Sequence, residues 1–190
     1  AGCHIPERLA DGYGLNARTI KRLAVEGVTL IITVDCGSSN TEEVKFANTL
    51  GVDVIVTDHH EMPDEPPPAC AILNPKQKGC GFPFKGLAGV GVAFNLIMAL
   101  RAHLRSAGWF GGGEPNLKKY LDLVSIGTVA DLVPLLGENR IFVSHGLKEL
   151  ERGGRPGLKA LMEPARVKPG RVDAATIAIQ LAPRINPAGT

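Results

Sequence analysis

Two rhythms of apolar and polar positions alternate over the first sixty residues. In the stretch from Asn16 to Glu26, Ile20, Leu23 and Ala24 recur at helical spacing behind Asn16, a residue suited to capping a helix N-terminus. Gly27 follows as a stop, so a short helix is predicted. Thr29-Leu30-Ile31-Ile32-Thr33-Val34 is then a continuous apolar and β-branched run, the kind a parallel sheet buries on both faces. The pattern repeats: residues 41–50 carry Val44, Phe46, Ala47 and Leu50 as a helix, Gly51 breaks it, and Val52 to Thr57 gives a second strand. Strand, helix and strand within about 30 residues make a βαβ unit, whose right-handed crossover sets the strands parallel with their C-terminal ends at one edge. Open α/β sheets bind ligands along that edge. The first strand runs into Asp35-Cys36-Gly37 and the second into Asp58-His59-His60.

Residues 61–86 are rich in proline and glycine, with Ala69 to Leu73 the one short strand expected among them. Ala88 to Arg105 reads as a long apolar helix opened by Gly89 and Gly91, and Gly108 to Pro115 as a flexible turn. A helix from about Leu117 to Ala130 delivers Asp131. A turn at Gly137-Glu138-Asn139 leads to another helix near Arg140 to Glu151, and small helical segments follow Gly153. The expected architecture is α/β: a parallel β-sheet flanked by helices over residues 1–152, followed by a helical linker over 153–190.

Composition adds bounds rather than function. Of 190 residues, 44% are hydrophobic and 21% charged, a balance typical of globular domains. No apolar run approaches the roughly 18 to 20 residues of a membrane helix. The chain opens on Ala1 rather than Met and carries no signal-peptide pattern, so it reads as cut from something longer, and its scattered cysteines read as reduced thiols of a cytoplasmic protein. A formal charge of +2, from 21 basic and 19 acidic residues, is too small to imply nucleic acid by itself. Cys3, Cys36, Cys70 and Cys80 form no CxxC pair, so neither a disulfide framework nor a zinc cluster is signalled.

The chemistry-bearing residues are Asp35, Asp58, His59, His60 and Asp131. Carboxylates and imidazoles at strand ends suit Mn²⁺ or Mg²⁺, since oxygen donors favour hard cations and one or two imidazoles move the preference toward Mn²⁺. Paired ions of this kind clamp a phosphoryl oxygen and activate a water, so phosphate-ester hydrolysis fits best. Asp35 or Asp131 taken singly could equally cap a turn. Two adjacent histidines after a buried strand have no such packing explanation. His4, His103 and His145 lack ligand partners at useful spacing, and Gly89 and Gly91 suit either a phosphate approach or close packing.

Val34-Asp35-Cys36-Gly37, Thr57-Asp58-His59-His60-Glu61 and Gly127-Thr128-Val129-Ala130-Asp131-Leu132-Val133-Pro134-Leu135 resemble the second, third and fourth motifs of the DHH phosphoesterases. The strings Ile5 to Leu15, Leu87 to Phe94, Gly137 to Arg140 and Ala182 to Gly189 resemble the RecJ branch of that family. The resemblance implies a Mn²⁺- or Mg²⁺-dependent exonuclease degrading single-stranded DNA from the 5′ end, in repair and recombination. On it, Asp35 would bridge metals, His59 and Asp131 would be ligands, His60 would face the scissile phosphate, and Asp58 would orient the histidine pair. Arg8 fits a 5′-phosphate clamp, Tyr13 a base-stacking platform, and Arg184 and Asn186 a nucleic-acid groove. For these four, plain surface, packing or turn roles remain open. A single-strand-binding protein and a RecQ-type helicase are the partners the resemblance suggests.

The family's first motif, Asp-x-Asp, would stand before Ala1, and its DHH-associated domain after Thr190. Asn186-Pro187-Ala188-Gly189-Thr190 also departs from the family's Asn-Ala-Ala-Gly-Arg. The expectation is therefore impaired two-metal occupancy and little or no nuclease activity for these 190 residues alone. Competing readings are a DHH oligoribonuclease or nucleotide phosphatase, and an inactive DHH scaffold that binds DNA or replication partners.

Overall fold

A computed structural model describes residues 1–6, 12–167, 170 and 172–185. The chain divides into two compact units, Ala1–Lys85 and Gly86–Thr190.

In the first unit, helix α1 (Ala17–Val25) begins where predicted: the Asn16 side chain accepts a hydrogen bond from the Thr19 N–H. Strand β1 (Leu30–Val34), helix α2 (Thr41–Thr49) and strand β2 (Asp53–Thr57) follow, and strand β3 (Ala71–Leu73) completes a parallel sheet of order β1-β2-β3. Val34 pairs with Thr57, and Thr57 with Leu73, so the three strands end in one row. Ile20, Val44, Ala47, Val52, Val54 and Val56 form the core between helices and sheet. The expectation that β1 is buried on both faces is corrected. It pairs only with β2 among the described residues, and one face is open, with Leu30, Ile32 and Val34 at 45%, 48% and 54% exposure. An apolar run marks a strand but does not say which neighbours cover it.

The second unit is helical. Helix α3 (Gly89–Ser106) is followed by a single 3-10 turn (Leu117–Tyr120) that leads directly into α4 (Leu121–Ala130). Helix α5 (Gly137–Arg152) starts earlier than predicted: Leu136 is extended, and the Arg140 N–H closes the first turn on the Leu136 carbonyl at 3.2 Å. Gly137-Glu138-Asn139 is thus the first helical turn rather than a loop. Gly153, at φ 60°, ends α5 in the left-handed conformation glycine favours. Short helices α6 (Pro156–Met162), α7 (Ala174–Thr176) and α8 (Ala182–Ile185) follow, with a π-helical turn (Ile177–Leu181) joining the last two. Ala165, Val172, Ile177 and Leu181 from this segment share a core with Ile126, Val129, Val143 and Leu150 of α4 and α5. Asp122, buried at the start of α4, receives two hydrogen bonds from the Arg155 guanidinium, at 2.9 and 3.1 Å.

Close approach of α4 and α5 depends on Gly146, where an added Cβ would stand 2.2 Å from the Leu121 carbonyl oxygen and 2.5 Å from the Ser125 Cβ. Backbone cannot yield as a side-chain tip does, so Gly146→Ala should cost at least the usual overpacking penalty of about 1–3 kcal/mol. Gly154→Ala, which meets nothing within 4 Å, is the control. Urea denaturation should show a large loss for the first variant and a change of a few tenths of a kcal/mol for the second.

Candidate metal centre

The sheet register builds the centre. One residue beyond the paired row Val34, Thr57 and Leu73 stand Asp35, Asp58 and Asn74, and the ladder still reaches them. The Asp35 N–H donates to the Thr57 carbonyl at 2.9 Å, and the Asp58 N–H to the Leu73 carbonyl at 3.0 Å. At Asp35 the chain turns abruptly, with φ at 64°, a left-handed conformation that aspartate tolerates better than most residues. Gly37, at φ 114°, completes the turn. A Cβ there would lie 2.8 Å from Thr33 Oγ1 and 3.0 Å from Val56 Cγ1, so the sharp exit needs glycine.

Asp58 is 1% exposed. Its Oδ1 accepts from the His59 N–H at 2.8 Å, the His60 N–H at 3.3 Å and His60 Nδ1 at 2.7 Å; its Oδ2 accepts from the Ser38 N–H at 2.9 Å. Burial by itself would push this carboxyl up, but the Ser38 hydroxyl and N–H, His60 and the His59 N–H outweigh it and hold the pKa below the ordinary carboxylate value. An ionised carboxylate only accepts, so His60 carries its proton on Nδ1, and in the neutral ring Nε2 is the acceptor left for an ion or a proton-donating group. The His59 and His60 rings lie 4.6 Å apart.

Asp35, His59 and His60 each offer one ligand atom within 4.8 Å of the others. Asp35 Oδ1 is shielded from solvent and receives no hydrogen bond among the described residues, although His59 Nε2 lies 3.1 Å away. A mixed oxygen and imidazole set this close together suits a Mn²⁺ or Mg²⁺ ion.

Tyr13 also lies at this edge. Its hydroxyl donates to the Asp35 carbonyl, its ring meets His60 edge-on at 5.9 Å, and its face is largely exposed. Asp131 belongs to the second unit, half-buried as the C-terminal cap of α4, with its N–H on the Gly127 carbonyl at 3.0 Å. Asn139, fully buried, braces the segment after it, donating to the Pro134 and Gly86 carbonyls at 3.0 and 2.6 Å. Arg184 is exposed in α8 and donates to the Gln180 carbonyl. Arg8 and Asn186 lie outside the described residues. Gly91 is explained by packing: an added Cβ would meet Leu87 at 3.1 Å and Phe142 at 3.7 Å. His4, His103 and His145 are exposed, and His4 contacts only Thr19 and Arg22 among the contacts recorded for it. A shallow pocket lined by Asn48, Gly51 to Asp53 and Pro68 to Cys70 opens at the far, N-terminal end of β2, away from these groups.

Ser38 and Asn74 were missed in the sequence. Asn74 was within reach, because it follows the predicted strand at Leu73 as Asp35 and Asp58 follow theirs. Ser38 offers no comparable signal.

A parallel sheet whose strand ends gather carboxylates and paired histidines makes a group that could hold a metal ion. Residues 2–128 match the DHH family, N-terminal domain, and the chain belongs to that family. It is 48% identical over 189 residues to the single-stranded-DNA-specific exonuclease RecJ of Dickeya dadantii, an alignment covering 97% of this chain and 33% of that protein. Among solved structures it resembles exonuclease RecJ bound to manganese, with a TM-score of 0.81 and 37% identity over 97% of this chain and 44% of the other. It also resembles RecJ in complex with Mn²⁺ from Thermus thermophilus, with a TM-score of 0.74 and 35% identity over 92% and 24% of the two chains. The chain spans about a third of the length of the curated relative from Dickeya dadantii. Among the described residues no helix is long and apolar enough to cross a membrane.

Two measurements follow from the local electrostatics. Burial, with the charges of Asp58 and Asp35 nearby, pushes the Cys36 thiol up to about 11, so it stays protonated at neutral pH. Because the thiolate is the nucleophile, iodoacetamide should label the exposed Cys3 and Cys70 well before Cys36 when peptides are quantified by mass spectrometry. Asp58 gives the second. Its lowered pKa means that the folded state gains from ionisation above the unfolded value of about 4, and that this gain is lost as pH falls through the folded value. Thermal melts in metal-free buffer should show the stability gap between wild type and Asp58→Asn narrowing as pH drops below about 4. A gap that stays constant down to pH about 2 contradicts that account of Asp58.

Proposed function

We propose that this chain is the metal-binding core of a single-strand-specific DNA exonuclease that works from the 5′ end, hydrolysing phosphodiester bonds with Mn²⁺ or Mg²⁺. The observation that carries this reading is the Asp35, His59 and His60 ligand group at the sheet edge, set beside the likeness to RecJ exonucleases. Asp35, His59 and Asp131 are the proposed ligands. Metal ions held there would supply Lewis-acid stabilisation of the phosphate and a nucleophilic water.

The protein's own groups position the substrate. Asp58 holds His60 through its Nδ1–H and leaves Nε2 as the nitrogen that would take up a proton and then donate it in a hydrogen bond to the scissile phosphate. Tyr13 offers an exposed ring beside His60 for a terminal base, a contact that aromatic side chains make without sequence preference. Arg8 is proposed as the clamp of a 5′ phosphate, and Arg184 and Asn186 as backbone contacts. Residues 1–152 are proposed as the catalytic core and 153–190 as the connection to a further domain. A cytoplasmic role in repair and recombination, beside a single-strand-binding protein and a RecQ-type helicase, completes the proposal.

Titration calorimetry on the 190-residue chain should show Mn²⁺ binding that His59→Ala weakens by about 10-fold or more, each ligand contributing more than about 1.4 kcal/mol. The whole protein should shorten 5′-phosphorylated single-stranded DNA and spare the duplex, while the 190 residues alone show little cleavage. Mn²⁺ affinity unchanged by His59→Ala counts against the metal assignment. Preference of the whole protein for RNA of a few nucleotides favours the oligoribonuclease instead.

A further inference from the structure

The third strand end carries Asn74, which lies outside the three motif strings at residues 34–37, 57–61 and 127–135. Asn74 is 3% exposed and stands one position past β3, in the row of Asp35 and Asp58. Its Nδ2 donates to the His60 carbonyl at 2.9 Å and to Ser38 Oγ at 2.9 Å, with Met62 Sδ at 3.2 Å alongside, while its Oδ1 accepts from the Lys76 N–H at 2.9 Å. An amide has two N–H donors, and both are used on groups that touch the Asp58-His59-His60 triplet. Ser38 is itself 1% exposed. Ser38 reaches Asp58 through its N–H, which donates to Oδ2 at 2.9 Å, and because its oxygen accepts from Asn74 its hydroxyl proton is free to turn toward the same carboxylate.

We propose that Asn74 is a positioning residue of this site, acting on the triplet by two routes: directly on the His60 backbone, and through Ser38 on the Asp58 carboxylate that orients the His60 ring. Both routes converge on His60. Without the carbonyl bond, the peptide after His60 is released from β3. Without the Ser38 bond, the hydroxyl is no longer held in the direction of Asp58, and the Asp58 hold on His60 Nδ1 loosens. A buried side chain that served only packing would have no need of four polar contacts at the strand ends. The catalytic consequence rests on His60 facing the phosphate as proposed above.

The test uses Asn74→Asp, which keeps the shape and the acceptor for the Lys76 N–H but removes both donors, and Ser38→Ala, which cuts only the second route. In the 190-residue chain, long-range ¹H–¹⁵N imidazole spectra at a pH that keeps the ring neutral should show His60 as one Nδ1–H tautomer. Both variants should convert this to a mixture. In the whole protein, each should lower kcat on single-stranded DNA by about 10–100-fold, the usual scale for residues that orient a reacting ligand, with KM changed less than about 3-fold. The double variant should lose little more than Asn74→Asp alone. A folded Asn74→Asp with the wild-type His60 spectrum and wild-type kcat overturns the proposal; if that variant does not fold, the same result for Ser38→Ala overturns the relay. Because the spectra are read without substrate, a wild-type protein that fails to cleave DNA would reject the nuclease reading and leave the tautomer result to decide the positioning of His60.

Discussion

A carboxylate that is 1% exposed and still ionised is the constraint around which the site is organised. Desolvating an isolated carboxylate is costly enough that the group would take up a proton instead. Asp58 avoids this because its oxygens receive the N–H groups of Ser38, His59 and His60 and the His60 ring. Those donors come from the β1–α2 loop and from the chain just past β2. Satisfying one charge therefore fixes the path of both segments, and with them the direction of two imidazoles.

The sheet makes this possible through register. Parallel pairing of Val34, Thr57 and Leu73 brings three strand ends level, and the next residue of each is polar. A one-residue slip of β2 would send Asp58 to the opposite face of the sheet and bring a buried threonine to the edge. The core valines 54 and 56, both fully buried, resist that slip, so apolar packing below the edge is what aligns the chemistry above it.

Much of this was legible in the residues, and the parts that were not share a cause. The βαβ unit, the Asn16 cap, the short strand ending at Leu73 and the strand-end triplet all follow from local period and local chemistry, which sequence displays directly. Burial of β1 is not legible in this way, because Leu30, Ile32 and Val34 look the same whether a neighbour covers them or not. The start of α5 reads late because Gly137-Glu138-Asn139 has turn composition, yet Asn139 is held by the Gly86 carbonyl, more than fifty residues away. Ser38 is hidden for the same reason: serine after a glycine reads as an ordinary turn until the fold brings Asp58 and Asn74 to it.

Two aspartates one strand apart have opposite surroundings, and the contrast separates their roles more sharply than their positions do. Asp58 is surrounded by N–H donors, so taking up a metal ion would mean giving up bonds that hold the histidines. Asp35 is half exposed, sits on a left-handed turn, and has one oxygen that is shielded yet receives no hydrogen bond among the described residues. A carboxylate left under-satisfied at a strained backbone position is suited to a cation, whereas a saturated one is suited to orienting its neighbours. Burial first, and then the charges of Asp58 and Asp35, disfavour ionisation of the adjacent Cys36 thiol. Negative charge at this edge is thus divided between one carboxylate held by the protein's own N–H groups and one with an oxygen that receives no hydrogen bond among the described residues.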